Sequence, residues 1–396
     1  MNAVRYRWVV RTALLCLAGI VLAGHAVPAA AQREDEIAQL RQAIADLQKR
    51  LDALEAQQRK EAEQKETAPP ARSSVGPITM GGLLQTWYAT DSRGPDTFRL
   101  RRMEMSFSGS ITPRVSWRTM FDLAKPLSLN VAASGGTVTG VSPNQASRIL
   151  QDMFVSYALT PRLTADVGQF KVPLSMEGLR SPADILTVER SIMNVLPARN
   201  GRMGDARDLG LQLRTARPRW EAAVGVFNDA SPRQNDVDDN NNKAVVGRVA
   251  FRPIVGTAGT LQIGVSGARG RTAAAEVVRD RLGGELSYRV GPHILEAEVA
   301  EAKDGAPVVK GRGGYVTYAY SFSPGWQGVV RYDRWDPNTA VGGDAEHDWV
   351  LGANYYIRGR NARIQLNVVR KSIGAAAPAY LGSSRTLVLT NFQTAW

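Results

Sequence analysis

Arginine recurring at alternate positions is the commonest chemical feature of this chain. In 114–124 the apolar residues Val115, Trp117, Phe121 and Leu123 share one face, which leaves Arg118 and Asp122 on the other. In 207–216 Leu209, Leu211 and Leu213 oppose Asp208, Gln212 and Arg214. The same parity sets Arg248 with Arg252, Glu285 with Arg289, and Arg331, Arg358 and Arg363 against apolar faces, together with Glu221, Glu296 and Glu298. A guanidinium stays charged, and its planar fork donates two parallel hydrogen bonds that fit carboxylate or phosphate. Lining water, such groups would lower the energy of a passing anion. Arginine–glutamate pairing that merely stiffens the wall is the alternative.

Other chemistries find little support. Cys16, the single cysteine, lies in the N-terminal apolar stretch, so no Cys nucleophile, disulfide or Cys-ligated metal is expected beyond it. The run Asp236, Asp238, Asp239, Asn240 looks like a calcium loop, but Asn241 replaces the tight-turn glycine and Gly247 the bidentate glutamate. His347 beside Asp348 is a weak hint of a hydrolase. No phosphate-cradling glycine loop or nucleophile elbow is present. The expectation is no enzyme, no catalytic residue, no metal and no cofactor.

The elements that would carry the arginines alternate with period two. Sixteen segments do so: 77–90, 97–109, 114–124, 148–159, 162–171, 207–216, 219–228, 243–252, 259–269, 279–290, 293–303, 312–322, 326–336, 346–358, 361–372 and 384–396. Brief turns such as Thr112-Pro113, Arg217-Pro218 and Gly291-Pro292 alternate with mostly longer polar stretches such as 125–147, 172–206 and 229–242. These features predict an all-β fold: a 16-stranded antiparallel transmembrane β-barrel, with short turns and both termini in the periplasm. Phe107, Trp117, Tyr157, Trp220, Tyr288, Trp326 and Trp396 sit by the short turns and would form an interfacial girdle; Trp87, Phe98 and Trp349 lie near the opposite ends. A charge facing lipid costs ~2–4 kcal/mol at the midplane, so the arginines are expected to point inward. Apolar parity switches between Phe98/Leu100 and Met103/Met105/Phe107, which predicts a bulge at Arg101-Arg102.

Residues 1–31 read as an export signal: Arg5, Arg7 and Arg11, an apolar run, then Ala29-Ala30-Ala31. No later stretch approaches eighteen continuous apolar residues. Within 32–60, Ile37, Leu40, Ile44, Leu47, Leu51 and Leu54 form a heptad seam that predicts a periplasmic coiled-coil helix. Ile at a with Leu at d favours two strands, whereas a trimeric barrel would impose three; a helix folded back on the barrel is the third option. Residues 61–76 read as a linker, and 77–396 as the barrel, which holds thirty-eight basic and twenty-eight acidic residues. Export makes nucleic acid an improbable partner for that excess. Loop 172–206 is too apolar for a solvated loop, with Met176, Ile185, Leu186, Val188, Ile192 and Met193. It is expected to fold into the barrel as a constriction presenting Lys171, Arg180, Arg190, Arg199 or Arg202, the alternative being contact with a neighbouring subunit.

Five motifs carry a family resemblance. Gln169-Phe170-Lys171-Val172-Pro173, Val188-Glu189-Arg190-Ser191 and Arg207-Asp208-Leu209-Gly210-Leu211-Gln212 resemble the phosphate-selective porin O and P family, as do Phe98-Arg99-Leu100-Arg101-Arg102 and Val226-Phe227-Asn228. The resemblance implies a homotrimer of sixteen-stranded barrels in a Gram-negative outer membrane, bathed in lipid and admitting small anions. It also implies a role for Arg101 and Arg102 in the narrow anion site. The barrel's few lysines (Lys125, Lys171, Lys243, Lys303, Lys310 and Lys371) depart from the lysine cluster of phosphate-specific members, so a general anion preference is expected. The alternatives are an envelope tether acting through the coiled coil, or a porin of weak selectivity.

Overall fold

The computed structural model describes residues 42, 44–53, 76–125, 129–134, 137–143, 149–195, 204–228, 238, 240–272 and 275–396. The expected signal, nearly all of the linker, Arg199 and Arg202 lie outside these residues. The chain divides into two compact units, Met1–Ser73 and Ser74–Trp396. In the first, residues 44–53 are helical, with Ile44, Leu47 and Leu51 exposed.

The second unit is built from strands β1 (Thr79–Asp91), β2 (Gly94–Thr112), β3 (Val115–Asp122), β4 (Leu129–Ser134), β5 (Thr137–Pro143) and β6 (Leu150–Thr160). Next come β7 (Leu163–Lys171), β8 (Arg207–Ala216), β9 (Trp220–Phe227), β10 (Ala244–Gly256), β11 (Gly259–Thr272) and β12 (Val277–Val290). The last are β13 (His293–Gly305), β14 (Val309–Ser323), β15 (Trp326–Asp336), β16 (Glu346–Tyr356), β17 (Ala362–Ile373) and β18 (Arg385–Ala395). Sixteen of them close into one antiparallel barrel, each next to its sequence neighbour, as the alternating segments predicted. The β4–β5 hairpin stands apart, inside the long connection from β3 to β6, where the sequence pattern predicts only a polar loop.

Closure joins β1 to β18 from Leu83↔Ala395 to Asp91↔Leu387. At this seam the Trp396 ring lies over Gly82, where an added Cβ would sit 2.2 Å from it. Connections 113–114, 161–162, 217–219, 257–258, 291–292, 324–325 and 357–361 are short and lie at one end. The chain leaves β3, β7, β9 and β17 at the other end.

The wall is apolar outside and polar inside. Val265, Leu282, Val299 and Leu351 are 62–68% exposed, while Gln85, Asn354, Gln365 and Asn391 are fully buried. Such a belt of exposed large apolar side chains suits lipid rather than water. Trp87, near the end opposite the short turns, is buried on the inner face, against Val188 and Leu389. Arg358 departs from the expected inward arginines, since it lies beyond the end of β16 in an exposed turn and is no part of the wall.

Candidate solute pathway

The β2 wall carries the predicted irregularity. Arg102 stands opposite Gln85 and Leu100 opposite Thr86, which leaves Arg101 as the extra residue of a bulge. A one-residue slip reverses side-chain facing, so Arg101 and Arg102 both turn to the lumen. Arg101 donates to Glu189 Oε2 from Nε (3.1 Å) and Nη2 (2.8 Å), and Arg102 Nη2 is 3.6 Å from Glu189 Oε1. Arg102 also donates to Gln85 Oε1 at 2.7 Å. Arg99 faces inward opposite Trp87; the guanidinium carbons of Arg99 and Arg101 lie 5.6 and 5.2 Å from the Trp87 ring centroid.

Glu189 belongs to segment 172–195, which lies in the interior and hydrogen-bonds to inward-facing wall residues. Glu298 on β13 accepts from the Met176 and Glu177 N–H groups (2.9 and 2.7 Å). On β16 and β17, Asn354 donates to the Leu186 carbonyl (2.8 Å), Arg363 to the Ile185 carbonyl (3.0 Å), and Asn367 accepts from Val188 N–H (2.7 Å). On β15, Asp333 accepts from Ile192 N–H (2.6 Å), and Arg331 donates to Thr187 Oγ1 (2.8 Å) and the Glu189 and Arg190 carbonyls (3.1 and 3.2 Å). Apolar footholds match: Ile192 and Met193 meet Ala300, Tyr315 and Trp335, and Leu186 meets Ala319 and Val329. The base of the segment pinches shut, because a Cβ on Gly178 would lie 2.3 Å from Gly204 Cα.

Charge is concentrated around this segment. Burial alone would raise the Glu189 pKa, but Arg101 and Arg102 hold it down to about 2. Burial likewise opposes ionisation of Asp205, yet Arg190 (3.2 Å), Lys171 (2.9 Å) and Arg207 (3.8 Å) hold it well below the ordinary carboxylate range. Glu177 gathers the loop from within, accepting from Ser191 N–H and Oγ and from Asn194 Nδ2.

The family model described as phosphate-selective porin O and P matches residues 85–275 and 268–386. This chain belongs to that family. It is therefore an outer-membrane porin. Solved structures agree on the fold. An anion-selective porin from Comamonas acidovorans superposes with a TM-score of 0.56 at 14% identity, covering 81% of this chain and 99% of that one. A trimer form of OmpT from Vibrio cholerae gives 0.52 at 10% identity, covering 81% and 99%. Salmonella typhi OmpF in complex with daunomycin gives 0.55 at 11% identity, covering 82% and 98%. No curated protein sequence matches the chain.

Within the porin most of the expected arginines have carboxylate partners. Arg118 lies 3.4 Å from Asp152, Arg214 2.6 Å from Asp166, and Arg289 2.5 Å from Glu296. Arg248 is clamped by Glu285 (2.5 Å) and Glu221 (2.7 Å), and Arg252 shares Glu221. Arg180 reaches Glu296 (2.7 Å) and lines one cavity with Arg248, Arg252 and Arg289. Arg331 lies 3.5 Å from Glu177 and 3.7 Å from Asp333. Arg190 donates to the Glu177 and Arg180 carbonyls, and Lys171 to the Gly178 carbonyl (2.8 Å). Arg363 pairs with no acid within 4.0 Å among the described residues and holds the loop's carbonyls instead.

Sequence reasoning missed Arg99, though the outward parity of Phe98 and Leu100 already pointed it inward. It also missed the acids Asp152, Asp166, Glu189 and Asp205. His347 meets Tyr332 OH at 2.7 Å and alternates with buried Asp348 along β16, so the two face opposite sides of the wall and form no dyad. Among the described residues no group of three or more His, Asp or Glu side chains is placed to hold a metal ion.

Proposed function

We propose that this porin passes small anions by passive diffusion through a lumen narrowed by loop 172–206. The observation that carries the reading is the convergence of Arg99, Arg101 and Arg102 on one inner face at the loop's edge. Three guanidinium groups against two carboxylates, Glu189 and Glu104 (3.9 Å from Arg102 Nε), leave a local positive excess, and a passing anion exchanges part of its hydration shell for their N–H donors. The better-exposed guanidinium groups of Arg118, Arg214 and Arg289 (40%, 48% and 45%) lie on β3, β8 and β12. They extend the path along the wall away from the β15–β17 face that the loop covers. With each of these paired to an acid, the preference is for anions in general, phosphate included.

The short turns and both termini face the periplasm in this reading, and residues 1–31 are the export signal. The exposed Ile44, Leu47 and Leu51 on the helix favour a coiled coil with partner chains, and a homotrimer satisfies both it and the barrel. The same coiled coil could tether the envelope without affecting conduction. Planar-bilayer recording in asymmetric KCl tests the function. Conductance steps with an anion-favouring reversal potential are expected. An absence of steps removes the channel reading, and a cation-favouring potential removes the anion reading.

A further inference from the structure

The geometry points to Glu189 as a tethered counter-ion that competes with the permeating anion for Arg101 and Arg102. The inference rests on the reading that those two arginines bind the passing solute. The Glu189 carboxylate takes the position an incoming anion would take, with Oε2 in the Arg101 fork and Oε1 toward Arg102. The site is reachable from the lumen, since the Arg101 and Glu189 side chains keep 22% and 21% of their exposure.

The loop backbone beside Glu189 has anchors of its own. Arg331 holds the Thr187 hydroxyl and the carbonyls of residues 189 and 190, Asn367 holds Val188 N–H, and Asp333 holds Ile192 N–H. The carboxylate is thus carried on a backbone fixed by other groups, with Oε1 also accepting from the Arg190 N–H at 3.1 Å. Arg99 completes the arrangement. It shares the Trp87 ring with Arg101, and no carboxylate lies within 4.0 Å of it among the described residues. An entering anion meets Arg99 first, then displaces Glu189 from Arg101, and Glu189 returns as the solute leaves. Conduction needs binding favourable enough to enter and weak enough to release. An internal competitor supplies that limit. Because the tethered ligand is a carboxylate, small dicarboxylates should compete for the site alongside phosphate.

The test uses the full-length porin in planar bilayers, with chloride current titrated by inorganic phosphate and by succinate. Glu189→Gln should lower the half-blocking concentration of both about tenfold and lengthen each blocking event, as expected when a charge-assisted competitor is removed. Glu189→Asp should restore block toward that of the unmodified porin. Arg101→Ala with Arg102→Ala should raise the half-blocking concentration. If the arginine pair responds but Glu189→Gln leaves block unchanged or weaker, Glu189 is only a strut and the inference falls while the site stands. If the arginine pair leaves block unchanged, the site itself lies elsewhere. Heat-modifiable mobility in detergent gels shows that each variant retains a folded barrel.

Discussion

Arg331→Ala is the substitution most directly tied to the loop. The Arg331 side chain is 6% exposed and joins β15 to three loop groups: the Thr187 hydroxyl at 2.8 Å and the Glu189 and Arg190 carbonyls at 3.1 and 3.2 Å. Its removal also strands Glu177 and Asp333, whose carboxylates lie 3.5 and 3.7 Å away. Breaking one side of a buried charge network costs about 3–5 kcal/mol. Since every 1.4 kcal/mol is tenfold, the ratio of seated to released loop should fall by roughly a thousandfold. In single-channel recordings this should appear as larger open conductance with frequent transitions between levels, and stronger phosphate block because the competing Glu189 carboxylate is no longer held against Arg101 and Arg102. Arg331→Lys keeps the charge but loses the fork, so it should fall between the two. The reasoning fails if Arg331→Ala inserts as a folded barrel with the conductance, noise and phosphate block of the unmodified porin.

Three further outcomes follow. Arg99→Ala removes an inward guanidinium with no acid within 4.0 Å among the described residues; an anion about 7 Å away loses about 1 kcal/mol of attraction, so phosphate should bind roughly fivefold more weakly while thermal stability holds. Both are read from current block and a melting curve. Gly82→Ala places a methyl against the Trp396 ring at the barrel seam; overpacking of this kind costs about 1–3 kcal/mol and should lower the urea midpoint of the porin in lipid vesicles. The third concerns pH. The folded pKa of Glu189 is depressed to about 2, so its ion pair is present above the ordinary carboxylate pKa and is lost only as pH falls through about 2. The difference in phosphate block between the unmodified porin and Glu189→Gln should therefore persist from pH 8 down to pH 4; a difference that vanished near pH 5 would contradict the assigned pairing.

The barrel was legible in the sequence because lipid imposes one rule on all sixteen strands. Each must put an apolar residue outward at every second position, and the turns between them announce themselves with Pro and Gly. The rule also located the β2 bulge, since only an extra residue reconciles outward Leu100 with outward Met103. It failed for Trp87. In β1 both parities are apolar, Leu83 and Trp87 on one and Leu84 and Tyr88 on the other. Trp87 goes inward because the loop brings Val188 to cover it. Trp335 and Tyr315 are inward for the same reason, under Ile192 and Met193. An in-folded loop turns part of a polar inner wall into a dry one, and alternation within a single strand carries no record of that.

The candidate site was less legible, because a charge's meaning depends on its neighbours across strands. Arg214 reads as a free pore-lining cation until the register sets Gln212 opposite Asp166, which brings Arg214 within reach of the same carboxylate. Arg248 similarly disappears into Glu285 and Glu221. The basic excess of the barrel sequence is thus a poor measure of the lumen's pull on anions. A neutralised guanidinium offers little net field, and a crowded set of unneutralised ones would hold a divalent anion too tightly to release it. Compensation along most of the wall, with a local excess at Arg99, Arg101 and Arg102 beside Glu189 and Glu104, allows an anion to be preferred without being trapped.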